Sequence, residues 1–174
     1  MKKFAIISTY PEKGSQNIGD YLITSSLISA LEDVSSGAEY DVIWRAESWR
    51  DIGGRILNSD HVIFACLAIR PEIHIHVYPY LNEIVNGPIP FSIVAAGTDL
   101  PVLLDANLLG QFGDETLKIL NLVSDRALLF TTRGHLTQEF CLLAGMKKAK
   151  FCGDIAFYDK RFDERVFKGD QSIN

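Results

Sequence analysis

The sequence predicts an α/β protein: a Rossmann-like parallel sheet of about six strands with helices on both faces. Three observations predict it. Short, nearly uninterrupted apolar runs recur along the 174 residues, as expected of strands covered on both sides. Segments with helical apolar spacing separate these runs, and strict alternation of strand and helix is the pattern of a parallel sheet with right-handed crossovers. The composition, 47% apolar and 22% charged, is that of a folded globular chain long enough to bury a sizeable core.

The elements follow in order. Phe4 to Ser8 is a short apolar strand, and a loop over residues 9–20 leads into a helix. In that helix Ile23, Leu27, Ala30, Leu31 and Val34 make one stripe, which Ser35-Ser36-Gly37 ends. "YDVIWR" (40–45) is the second strand and "HVIFACL" (61–67) the third, joined by a polar connection containing Gly53-Gly54. Val77, Tyr80, Leu81, Ile84 and Val85 mark a helix with Pro79 in its first turn, stopped by Gly87-Pro88. "PFSIVAAG" (90–97) is the fourth strand, Asp114 to about Ser124 a helix, and "ALLFTT" (127–132) the fifth strand. Leu136, Phe140, Leu143 and Ala144 mark a helix closed by Gly145, and "AKFCGD" (149–154) is a sixth short strand. Residues 1–158 therefore form one Rossmann-like domain. Residues 159–174, "DKRFDERVFKGDQSIN", are charged and weakly periodic, as in a linker or docking tail. There is no internal repeat.

Charge and cysteine content exclude several functions. A net charge of −5 argues against a nucleic-acid partner, which needs a basic stripe. Cys66, Cys141 and Cys152 are an odd number without CxxC or metal-ligand spacing, as expected of free thiols in a reducing compartment. The amino-terminal apolar run is too short for a signal peptide, since Tyr10-Pro11-Glu12-Lys13 ends it. No segment reaches the roughly 20 apolar residues that span a bilayer. The expected location is the cytoplasm.

In an open α/β sheet, ligands sit outside the carboxyl ends of the strands, so the loops after each strand hold the candidates. In the first loop, Gly19 permits close backbone approach, and Asp20 sits where a helix N-cap belongs. Asp20 is either that cap or a residue facing ligand hydroxyls. The second loop, "WRAESWR", offers Trp44 and Trp49 as rings for a sugar face, or as packing for a helix. Thr98 follows the fourth strand. Arg133-Gly134-His135 follows the fifth strand at a helix start, where anions are favoured. Arg133 can fork onto a carboxylate or phosphate, or pair internally with Asp20, Asp99 or Asp154. His74 and His76 in "EIHIH" share one face if the segment is a strand, but a metal site needs further ligands, and neither metal nor cofactor is expected. No GxGxxG follows the first strand, and no GxSxG elbow occurs, so dinucleotide binding and nucleophilic hydrolysis lack their signatures.

Two stretches in register resemble polysaccharide pyruvyl transferases. "NIGDYLITSSLISALE" resembles that family's Asn-x-Gly-Asp loop and helix. "LLFTTRGHLTQEFCLLAGMKKAKFCGDIAFYD" resembles its later block, with Arg133, Thr137, Leu142 with Gly145, and Asp154 before Ala156-Phe157. The resemblance runs from the first strand to about Tyr158. It implies one half of a two-domain architecture like that of B-type glycosyltransferases. It also implies transfer of pyruvate from phosphoenolpyruvate onto two sugar hydroxyls as a ketal. This half would bind the acceptor and be inactive alone, with a second domain or a homo-oligomer completing it. The other reading is a binding module for a sugar or nucleotide-sugar, without chemistry. On either reading Asn17, Gly19, Asp20, Trp49, Thr98, Arg133 and Asp154 are the binding candidates, and Asp20 and His135 the catalytic ones. The chain departs from the family's pattern at three places. Cys66-Leu67-Ala68 stands where a glycine run is usual, "AAGTDLP" replaces a glycine-rich turn, and Gly134 stands for an acidic residue.

Overall fold

The structure, a computed structural model, describes residues 1–10, 17–98 and 109–158. The charged tail 159–174 and Asp99 lie outside the described residues. The strands are β1 (Lys3–Ser8), β2 (Glu39–Trp44), β3 (His61–Ala65), β4 (Ala68–Ile69), β5 (Phe91–Thr98), β6 (Phe130–Thr132) and β7 (Lys150–Phe151). The helices are α1 (Ile18–Val34), α2 (Trp49–Leu57), α3 (Leu81–Asn86), α4 (Asp114–Arg126) and α5 (His135–Leu143). All pairings are parallel, in the order β2-β1-β3-β5-β6-β7, with β4 beside β5. This is an α/β, Rossmann-like sheet.

Side-chain alternation assigns the two faces. Phe4 and Ile6 of β1 join Ile63 and Ala65 of β3 beneath Ile23 and Leu27 of α1. Ala5, Ile7, Val62 and Phe64 point the other way, into the larger core formed with residues of α2, α3, α4 and α5. α1 thus covers one face, together with a 3-10 turn at Ile155–Tyr158 whose Ile155 and Ala156 join the same cluster. Strands buried on both faces explain the uninterrupted apolar runs.

Several elements differ from the sequence reading. The connection over 46–60 contains a helix, α2, whose Ile52, Gly53 and Ile56 are buried. Its two central glycines hide it from propensity, but Gly53 is needed, because a Cβ there would come within 2.9 Å of the Trp49 ring. "IHIHV" is a single π-helical turn, Ile73–Val77, and not a strand. Its histidines therefore do not share a strand face: the side chain of His74 is largely enclosed and lies 3.7 Å from Glu115, while His76 is exposed and pairs with Glu72 at 3.2 Å. Val77 ends this turn, and α3 starts only at Leu81.

The third strand breaks at Cys66, which takes a left-handed backbone (φ 65°), and resumes as β4 in unchanged register. Val62 pairs Phe91 and Ala68 pairs Gly97, an offset of 29 in both cases (91 − 62 and 97 − 68), which sets Cys66 opposite Ala95. Ala95 is left-handed as well (φ 56°). Two neighbouring strands therefore kink at one level. On its other side β5 advances three residues, Ile93 to Ala96, against two on β6, a bulge whose free amide at Ala95 is taken up by Thr131 Oγ1 at 2.9 Å. Left-handed alanine and cysteine are uncommon and cost energy, and such positions cluster at functional sites.

Candidate functional site

The residues after β2, β3, β6 and β7 each continue the ladder for one more hydrogen bond at the carboxyl edge of the sheet. Arg45 N–H donates to Ser8 C=O at 2.8 Å, Cys66 to Val94 at 2.9 Å, Arg133 to Ala96 at 2.9 Å, and Cys152 to Thr132 at 3.1 Å. Arg45, Cys66, Arg133 and Cys152 thereby lie along the carboxyl edge of the sheet, with β1 between the first two and β5 between Cys66 and Arg133.

Asn17-Ile18-Gly19-Asp20 meets this rim from the α1 side. The N-cap is Asn17, not Asp20: its Oδ1 accepts the Gly19 amide at 3.0 Å. Gly19 suits that cap, since a Cβ would stand 3.1 Å from the same oxygen. Asp20 occupies the first turn of α1, a favourable place for a carboxylate at the positive helix end. Thr24 Oγ1 lies 2.8 Å from Asp20 C=O and 2.6 Å from Ser8 Oγ, and Ser8 Oγ accepts the Tyr10 amide at 2.9 Å. These bonds pin the start of α1 to the end of β1.

Cys66 is the centre of the arrangement. Burial pushes its thiol pKa up, Arg133 and Arg45 pull it down, and Asp154 and Asp20 push it up again. Two cations and two carboxylates therefore act electrostatically on one half-buried thiol. Arg133 is exposed, and its Nη1 lies 3.9 Å from Cys66 Sγ. Among the described residues no carboxylate is within ion-pair distance of it, so the expected pairing with Asp20 or Asp154 is not formed. Asp154 instead organises its own turn, accepting the Ala156 amide on Oδ1 at 3.0 Å.

Tyr78 holds the strand break together. Fully buried, its hydroxyl accepts the Ala68 amide at 3.1 Å and donates to Cys66 C=O at 3.3 Å, bridging the break between β3 and β4. Burial raises its pKa to about 12, against a lowering influence of Arg45. Tyr80, also buried, donates to Trp44 C=O at 3.5 Å, and burial raises its pKa as well.

The remaining candidates are spread more widely. Thr98 ends β5, half-buried, opposite Ile69. His135 stacks on Phe151, ring centres 3.8 Å apart, at the β7 edge. Trp49 lies along α2 over Gly53 and walls an apolar groove with Ile56, Ile84 and Pro88, among helix residues and not strand-end loops. Trp44 is half-buried, its indole nitrogen enclosed without a hydrogen-bond partner. Among the described residues no group of three or more His, Cys, Asp and Glu is gathered as metal ligands, and no helix is long and apolar enough to cross a membrane. Gly97 and Tyr78 carry no signal in the sequence. Nothing in one sequence marks a glycine inside an apolar run, or a tyrosine beside a proline, as belonging to a cleft.

Comparison of the chain with protein families, with curated proteins and with solved structures finds no match.

Proposed function

We propose that the strand-end cleft binds an anionic, hydroxyl-rich ligand, and that it is the acceptor-side half of a pyruvyl-transferase-like site that does not turn over alone. The observation that carries this reading is Arg133, exposed at the carboxyl edge of the sheet and unpaired with any described carboxylate, where Asp20 and Asp154 also act on Cys66. A guanidinium so placed recognises a carboxylate or phosphate, while carboxylates accept hydrogen bonds from sugar hydroxyls. The left-handed backbone at Cys66 gives independent support, because the family's pattern has glycine there and glycine is the residue that conformation favours. Ketal formation from phosphoenolpyruvate needs a general acid for the enol carbon and several cations for carboxylate and phosphate. By the resemblance, most of these belong to a second half, supplied by another domain or another copy.

A binding module for a sugar or nucleotide-sugar is the second reading, and Cys66 favours it. Its side chain occupies space that glycine would leave open, and burial keeps its thiol protonated. Calorimetric titration with phosphoenolpyruvate and with nucleotide-sugars, beside a phosphate-release assay on a panel of sugar acceptors, tests both. Binding without phosphate release is expected. Turnover above background refutes the claim of inactivity, and no binding of either ligand class refutes the site.

A further inference from the structure

We infer that Gly97 is the positioning residue for Arg133: it leaves open the one patch of β5 on which the guanidinium lies, and it thereby selects for anions at the rim. This deepens the binding reading above and rests on it for the ligand class. A Cβ at position 97 would stand 2.8 Å from Arg133 Cζ and 3.1 Å from Nη2, and closer still to Nε. All three are guanidinium-end atoms, so the group rests against the β5 backbone at position 97. Cys66 Sγ touches Nη1 from the neighbouring strand. The paired kinks at Cys66 and Ala95 lie immediately before this seat on both strands.

Nothing else at position 97 requires glycine. Its φ lies outside the left-handed region, and its amide donates to Leu67 C=O at 3.0 Å, as any residue's could. The atoms a Cβ would meet belong to the movable end of a long side chain. Gly97→Ala therefore leaves the sheet intact and swings the guanidinium off its seat. A guanidinium seated against the backbone keeps its planar fork in one orientation, which suits a carboxylate or one face of a phosphate.

The experiment uses the whole chain and its Gly97→Ala, Arg133→Ala and double variants, with inorganic phosphate and phosphoenolpyruvate as titrants. Gly97→Ala is expected to keep its melting temperature and weaken binding about tenfold or more, the loss that follows when one charge-assisted hydrogen bond goes. The double variant should bind no worse than Arg133→Ala. Unchanged affinity in Gly97→Ala overturns the seat. So does an equal fall in melting temperature in both backgrounds, which would mean that glycine serves the backbone. Should the wild type bind neither titrant, the binding reading fails, and the seat is then read from the Arg133 Nε–H resonance in nitrogen-15 spectra. That signal must move in Gly97→Ala, and a signal left in place overturns the seat on its own.

Discussion

Replacing Tyr78 by Phe removes a single oxygen from beneath the cleft, and its effect has two separable parts. Tyr78 is held by two bonds across the β3–β4 break, from the Ala68 amide at 3.1 Å and to Cys66 C=O at 3.3 Å. Phenylalanine leaves the amide without an acceptor, which costs about 1–3 kcal/mol for a buried donor. The second part depends on pH. Burial raises the Tyr78 pKa from 10.0 to about 12. A raised pKa means that the folded state holds its proton where the unfolded state has lost it. The stability tied to the neutral phenol is therefore complete below pH 10 and lost as pH rises towards 12. At pH 11, one unit above the unfolded value, about 1.4 kcal/mol is gone. Cys141 carries a pKa raised by burial that both proteins keep, and burial remains the main cause of the raised Tyr80 pKa once the contribution of Tyr78 is removed, so both nearly cancel in the difference. Urea unfolding of the wild type and Tyr78→Phe at pH 8, 9, 10 and 11 should give a gap that is widest at pH 8 and narrower by about 1.4 kcal/mol at pH 11. A gap that stays constant with pH refutes the account of Tyr78 as a buried neutral phenol. Equal stability at pH 8 refutes its role as the bridge.

Other expectations concern the same neighbourhood. Asn17→Ala should cost about 0.5–2 kcal/mol as loss of the α1 cap, and Asp20→Ala only about 0.3–1 kcal/mol as loss of a favourable first-turn charge, both measured as urea midpoints. The reverse order would return the cap to Asp20. Ala95→Gly should be neutral or mildly stabilising, because leaving a left-handed position relieves about 1–2 kcal/mol against the roughly 0.5–1 kcal/mol that glycine costs in an ordinary strand; a loss above about 1 kcal/mol argues that Ala95 is not strained. A disulfide reagent at pH 8 should label exposed Cys152 first and Cys66 slowly, with Cys141 reacting only on unfolding, since Cys141 is buried and its pKa is raised to about 12. Rapid labelling of Cys66 would show an activated thiol and reopen the question of chemistry there.

The legible part of the fold was the part governed by burial. β1, β3 and β5 are covered on both faces, so their apolar runs announced them, and α1 carried its stripe with Ile23 and Leu27 inward. What escaped was what depends on one specific contact. α2 holds two glycines that propensity counts against a helix, yet Gly53 is there to let Trp49 lie flat along it. The π-helical turn at Ile73–Val77 alternates apolar and polar residues as a strand does, and only the left-handed Glu72 before it (φ 53°) sends the chain elsewhere.

The site divides along the same line. Arg133, Asp154 and the Asn17–Asp20 loop were legible because topology alone places strand-end residues together, whatever they touch. Their partners were not legible, since register between strands decides them. The constant offset between β3–β4 and β5 brings Cys66 opposite Ala95 and leaves Gly97 under Arg133, residues 29 to 67 positions apart that no local pattern connects. Strain at both kinks, in residues poorly suited to it, is stabilised only by the bonds around them: Cys66 to Val94, Gly97 to Leu67, Ala95 to Thr131, and Tyr78 across the break. A backbone held in a conformation that its own residues disfavour is a costly way to bend two neighbouring strands. Such strain clusters at functional sites, and here it falls at the strand ends that also carry Arg133, Asp20 and Asp154, which is why that edge is the candidate site.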